Sequence, residues 1–496
     1  MKITWLLGTL LLAGTPFSSF SGEVVEKNGK LFGRDVFTLD NGLVRLSVTP
    51  EIGGRVLEFV NLKTGHGSAK VRADNIAKKP TDNWAGAEYG GFTDAPTLGL
   101  GWPGDFWMLT YEMKFEDGKD GAKAIVASAQ TQDIGIERRM TIAPGSTALR
   151  VEVKETNLSK RPQMMRIRLH CEMAQGTRGD DNDDIYFQSA DGLNIQDYAV
   201  GAEYARMAIL KVTGGWVSLS DTVENESVVK VLRAEGEQEV FYWAGANEST
   251  EIVGDDGAFV GLDWLGKEQL VEAGHAISSV EDIFVVGGIG KPDFVETGNR
   301  ISGEVAPDRK IYGKAGIVTV KASLASATVL PASTVRISIA STQKELASLD
   351  ATIPSAAPGI AATTDLKWHY ADLPDGNYTI KSVISDSQGK TLGTSEKVFA
   401  VNSALVDRLA SALSKDKKTL EDLKAKIKSQ GSGGLLDIST EIHVLEFHKG
   451  AIEKLMDSGS YDNMTAESDA FGSEAAHLNS VLSQENNVNK PQQYAP

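Results

Sequence analysis

The sequence predicts a mainly β protein in three parts: a long β-sandwich over 23–302, a smaller Ig-like or fibronectin-like β-sandwich over 303–402, and an α-helical hairpin or three-helix bundle over 403–485. Three observations carry this. From 23 to about 301, short runs of alternating apolar and polar residues are separated by Gly, Asp, Asn and Pro, the spacing of an all-β sandwich. From 303 a second set of alternating runs begins, joined by Asp-Gly and Gln-Gly turns, and its length of about 100 residues suits one small sandwich. After Asn402 the apolar period changes from 2 to 3.5, the repeat of packed helices. A chain of 496 residues also exceeds what one hydrophobic core usually serves, so two or three domains are expected.

Composition narrows the partners. Hydrophobic residues at 41% and charged residues at 24% are ordinary for globular chains. A net charge of −17 argues against nucleic acid or an anionic membrane as a general partner, since both need a basic footprint. Neutral glycans remain open, and a local basic row at Arg166 and Arg168 suits an acidic sugar. Residues 1–22 read as an export signal: Lys2, an apolar run from 3 to 13, then small residues at Ser19, Ser21 and Gly22. The expectation is a periplasmic or extracellular protein without a transmembrane anchor, because the apolar run is too short to span a bilayer. Cys171 is the single cysteine, so no intramolecular disulfide is expected.

Within the first region the strand candidates are 44–48, 55–60, 123–127, 136–142, 149–153, 216–219 and 283–286. The most informative stretch is 164–172, where Arg166, Arg168, His170 and Glu172 alternate with Met165, Ile167, Leu169 and Cys171. Side chains two apart on a strand repeat at roughly 7 Å on one face. The row is therefore either a groove wall touching several hydroxyls of one extended ligand, or a charged outer face shown to water. Between 84 and 115 lies the densest aromatic region, with Trp84, Tyr89, Trp102, Phe106, Trp107 and Tyr111 set among glycines. Flat rings suit the C–H faces of pyranoses, so Trp84, Tyr89, Trp102 and Trp107 are candidate sugar platforms, with Arg55 beside them; the other reading is a loop anchored by its own aromatics. Asp180, Asp181, Asp183 and Asp184 offer the oxygen ligands of a calcium site. Their spacing is not that of an EF-hand, and a solvated acidic turn is the alternative. No other cofactor is expected.

Three segments together, "TLDNGLVRLSVTPEIGGRVLEFVNLKTG" (38–65), "IERRMTIAPGSTALRVEVKETNLSKRPQMMRIRLH" (136–170) and "LVEAGHAISSVEDIFVV" (270–286), resemble the galactose-mutarotase-like, or aldose-epimerase-like, carbohydrate superfamily. The resemblance covers roughly 35–290 and lies nearest to secreted, uncharacterised members with a "PE-GGR" segment. It implies a β-supersandwich whose concave face binds sugar, with His170 as an acid candidate after the "TN" turn. Glu172, on the same strand face, is a local carboxylate to pair with it. Two departures stand out. No second His lies between His66 and His170, and the late catalytic Glu has no flanking motif to choose among Glu239, Glu248, Glu251, Glu268 and Glu272.

In the last part, Val406, Leu409, Leu413, Asp416, Leu420, Leu423 and Ile427 form one heptad seam. After the break at 430–434, Leu435, Ile438, Ile442, Leu445, Lys449, Ile452 and Met456 form another. Folded back as an antiparallel hairpin, these helices bring Lys449 within reach of Asp416. A further helix is expected over about 466–482, then a loose tail over 486–496. The helices over 403–457 either self-associate or dock a partner, or the bundle closes on itself. Three functions follow: a secreted carbohydrate-binding protein involved in glycan recognition or processing; a carbohydrate-active enzyme, epimerase-like or a hydrolase or lyase, using His170 with a carboxylate; or an envelope structural protein whose β domain is a relic.

Overall fold

The computed structural model describes residues 22–77, 89–94, 106–174, 183–197, 206–234, 236–245, 259–430, 439–458 and 461–488. The expected export signal, Trp84, Trp102, Asp180 and Asp181 lie outside the described residues. The chain divides into two compact units: 1–290 together with 326–329 and 357–359, and the remainder from Lys291 onward.

The first unit is built from two nine-stranded sheets. One runs from the N-terminal hairpins through Val56–Asn61, Phe92–Asp94, Arg168–Met173, Phe259–Leu265 and Gln238–Gly245 to Arg206–Val212. The other runs from Gly192–Asp197 through Asp183–Ser189, Trp216–Asp221, Glu226–Leu232, Ala276–Gly287 and Ala148–Asn157 to Glu112–Asp117. Period-2 alternation puts one set of side chains between the sheets. Leu169, Cys171 and Met173, with Val240, Tyr242, Leu262 and Trp264, meet Val151, Val217, Leu219, Ile283 and Val285 from the facing sheet. Each such residue contributes roughly 1.5–3 kcal/mol through burial.

The expected continuous strand over 164–172 is instead two strands. Gln163–Met165 pairs with Gln269–Val271 as a separate ribbon, and Arg168–Met173 enters the large sheet between Phe92–Asp94 and Phe259–Leu265. Arg166 and Ile167 form the step between them, where the Gly266 N–H donates to the Ile167 carbonyl at 2.9 Å. Alternation in the sequence runs straight through this change of partner, so period alone does not reveal it.

The second unit contains a four-stranded and a five-stranded sheet packed around Val318, Val320, Ile337, Ile380 and Phe399, followed by three helices, Ser403–Gln430, Ser439–Ser458 and Tyr461–Val488. Leu409, Leu413, Leu420 and Leu423 pack with Leu445 and Ile452, and Met464, Phe471 and Leu478 of the third helix close the seam. The last helix starts earlier and runs further than the sequence suggests. Asp416 does not meet Lys449: its Oδ2 accepts from Ser468 Oγ at 2.9 Å, while Lys449 faces Glu453 at 3.9 Å. The third helix supplies the hydroxyl that a two-helix pairing lacks.

Candidate functional site

The face of the first sheet turned away from the core carries the charge. Arg168, His170 and Glu172 stand on it because Leu169, Cys171 and Met173 take the core side, and across the ladder from them stands Asp263. The Asp263 Oδ2 accepts from Arg168 Nε at 2.7 Å and contacts His170 Nδ1 at 3.0 Å, while Oδ1 accepts the Cys171 N–H at 2.9 Å. On its other side His170 Nε2 lies 3.4 Å from Glu172 Oε1, and Glu172 Oε2 accepts from Arg72 Nη1 at 2.8 Å. The result is a chain of alternating charge, Arg168–Asp263–His170–Glu172–Arg72, with every member buried. The expected solvated or groove-lining row is therefore a closed network.

Burial alone disfavours a charged imidazole, but Asp263 at Nδ1 and Glu172 at Nε2 outweigh it and raise the His170 pKa to about 9. Burial also resists ionisation of both carboxylates. His170 and Arg168 nevertheless hold Asp263 below the usual carboxylate range, and Arg72 with His170 does the same for Glu172. At neutral pH the imidazole and both carboxylates of the network carry charge. An imidazolium with carboxylates at both ring nitrogens is a poor proton acceptor; it acts as an acid only by breaking one of these contacts.

The "PEIGGR" segment explains Arg55. Ile52, Gly53 and Gly54 all have positive φ, and a Cβ at Gly54 would fall 2.7 Å from the Tyr111 ring. This tight turn sends the Arg55 guanidinium inward, over Trp107 at 4.0 Å and Tyr89 at 5.5 Å. Trp107 in turn packs on His170 with ring centroids 6.0 Å apart. Tyr89 and Trp107 are 1% and 2% exposed, so they anchor their segments instead of standing open as platforms, and Trp107 braces His170. Of the sequence-derived candidates, the fold brings together Arg55, Tyr89, Trp107, Arg168, His170 and Glu172. It does not bring Arg166 to them. Arg166 lines a different cleft, of about 820 Å³, with Leu232, Trp264 and Glu281. Asp183 and Asp184, adjacent on one strand, point to opposite faces of it.

Sequence reasoning missed four residues. Asp263 supplies a carboxylate beside His170 and Arg72 completes the network; of the five Glu candidates, Glu248 and Glu251 lie outside the described residues. Phe241 and Trp243 stand on the same outward face, paired in register with Asp263 and Gly261. Both rings are half-buried, and the Arg168 guanidinium lies 4.9 Å from the Phe241 centroid. A Cβ at Gly261 would come 3.4 Å from the Trp243 carbonyl oxygen, 3.6 Å from Trp243 Cβ and 3.9 Å from His170 Cε1, so the glycine lets the indole-bearing strand and the imidazole approach within ordinary contact range of it. The available signal was parity: in 259–265, Gly261 and Asp263 alternate with Val260, Leu262 and Trp264. On the core side, Cys171 Sγ lies 3.1 Å from Lys230 Nζ, and burial pushes its thiol up to about 12, which removes it as a nucleophile.

No protein-family model matches the sequence, and no curated protein matches it. Among solved structures, a galactose mutarotase-like protein from Clostridium acetobutylicum aligns at 10% identity and TM-score 0.40, over 53% of this chain and 99% of that one. A putative aldose 1-epimerase from Escherichia coli K12 aligns at 10% identity and TM-score 0.36, over 50% and 98%. A TPR-domain containing protein from Parabacteroides distasonis aligns at 12% identity and TM-score 0.39, over 51% of this chain and 47% of that one, so the match spans about half its length.

Proposed function

We propose that the chain is an exported carbohydrate-binding protein that seats a saccharide on the outward face of the first sheet. Phe241 and Trp243 offer their half-buried rings to pyranose C–H faces, and the buried chain Arg168–Asp263–His170–Glu172–Arg72 forms a rigid support behind them. The observation that carries this reading is the register, which sets two half-buried aromatics beside a buried, paired charge network, with side-chain-free Gly261 between Trp243 and His170. Binding is favoured over ring-opening catalysis because His170 has carboxylates at both ring nitrogens. One observation supports the enzyme reading: the raised pKa keeps a proton on His170 at neutral pH, which an epimerase-type acid requires.

A glycan array on the purified protein, followed by calorimetric titration of any hit, tests the proposal. Trp243→Ala is expected to weaken binding at least about tenfold, equivalent to about 1.4 kcal/mol, without unfolding the protein. Binding indifferent to both Trp243→Ala and Phe241→Ala would move the site elsewhere. Accelerated anomer exchange by the wild type, lost in His170→Gln, would replace the binding reading with the enzymatic one.

A further inference from the structure

Three donor atoms converge where the two sheets of the first unit approach each other, on elements outside the face described above. His66 sits in the turn after Val56–Asn61 of one sheet. Glu224 and Glu226 come from the hairpin joining Trp216–Asp221 to Glu226–Leu232 of the other. His66 Nδ1 lies 2.7 Å from Glu226 Oε2 and 3.2 Å from Glu224 Oε2, and the three ligand atoms all fall within 4.8 Å of one another. We propose that these side chains bind a divalent transition-metal ion of the Zn²⁺ class, which clasps the two sheets together.

The distances suit such an ion. Zn–N and Zn–O bonds near 2.0–2.2 Å in a tetrahedral arrangement place ligand atoms roughly 3.3–3.5 Å apart. The present separations, 2.7 and 3.2 Å from the imidazole and all within 4.8 Å, bracket that spacing. An imidazole among the donors favours a transition ion over calcium or magnesium, which prefer all-oxygen sets. Three protein ligands also leave a coordination position for water. The His66 and Glu224 side chains keep 21% and 27% exposure, so an ion can enter from solvent.

A second observation comes from the sheet itself. Asp183 stands directly opposite Asp221, and Asp221 directly opposite Glu226, across three neighbouring strands. Facing residues in an antiparallel pair share a face, and like charges set opposite each other are destabilising. Asp183, Asp221 and Glu226 are 1%, 3% and 4% exposed. Buried carboxylates in a row concentrate negative charge on this face, and Glu226 is the member of the row that touches His66. Two backbone N–H groups, from Val223 and Glu224, hold Asp221 Oδ1, so Asp221 braces the hairpin while Glu224 and Glu226 face the imidazole.

Calorimetric titration of the chelator-treated full chain with Zn²⁺ is expected to show one ion bound per chain and a melting temperature that rises with Zn²⁺. His66→Ala and Glu226→Gln are each expected to weaken that binding at least about tenfold. Should buried Glu226→Gln fail to fold, the more exposed His66→Ala carries the test alone, with Co²⁺ substitution as a second readout: visible d–d absorption in the wild type, lost in His66→Ala. Absence of saturable Zn²⁺ binding, equal binding by wild type and His66→Ala, or His66-independent uptake of Ca²⁺ in preference to Zn²⁺ would each overturn the proposal.

Discussion

Asp263 decides what His170 can be. By holding Nδ1 it fixes the ring and, together with Glu172, keeps the imidazole charged well above its ordinary range. The sign of the pH dependence follows. The His170 pKa rises from 6.5 to about 9 on folding, so its stabilisation is complete below about pH 6.5 and is lost as pH climbs through 9. Glu155, raised to about 9 by burial and by neighbouring Asp94, pulls the same way, because ionising it costs the native state. The unfolding free energy of the first unit in urea titrations is expected to fall between pH 6.5 and 9.5, and His170→Gln is expected to flatten that fall by on the order of 3 kcal/mol. An undiminished slope in the variant would place the titration elsewhere. Asp263→Asn leaves Arg168 and His170 short of their counter-ion and is expected to cost about 3–5 kcal/mol, measured by denaturant unfolding at pH 7. Asp263 was hidden in the sequence because a Glu was sought, whereas the physics asks only for a carboxylate on the outward parity of a strand beside His170.

Strand pairing explains why some elements were legible and others were not. The alternation over 168–173 and the seam over 409–423 both show plainly, because burial on one face imposes a period. Partner choice leaves no comparable trace. The step at Arg166 and Ile167 sends Arg166 to another cleft without interrupting the alternation, and the helical seam does not tell whether Asp416 faces Lys449 or Ser468. Burial raises the Asp416 pKa against the pull of Ser468, so its charge costs the bundle stability at neutral pH, and the cost shrinks as pH falls through its raised pKa. Asp416→Asn, which keeps a group able to pair with Ser468, is expected to raise the unfolding free energy of the helices at pH 7 by up to about 1 kcal/mol. It is also expected to abolish the acid-side gain, which circular dichroism melts at pH 4 and 7 measure. The third helix covers the seam that the sequence left open to self-association or docking.

Across the whole chain, period changes and turn chemistry reveal the succession of β, β and helical parts. They do not reveal that 326–329 and 357–359 return to the first unit. Thr147 N–H donates to the Ala327 carbonyl at 2.8 Å, and Gly287 N–H to Gly359 at 2.8 Å. A fragment ending at 290 lacks both acceptors and is expected to melt several degrees below the same unit in a 22–402 fragment, since about 1 kcal/mol per lost buried bond shifts a domain of this size by about 2–4 °C. Among the described residues no helix is long and apolar enough to cross a membrane.

The central claim is that a saccharide rests on the outward face of the first sheet. Hydrogen–deuterium exchange, measured with and without a glycan found by array, tests it most directly. The account predicts slower exchange confined to 168–173, 239–245 and 259–265. Protection falling instead on the strands between 303 and 402, or on the helices, would contradict it.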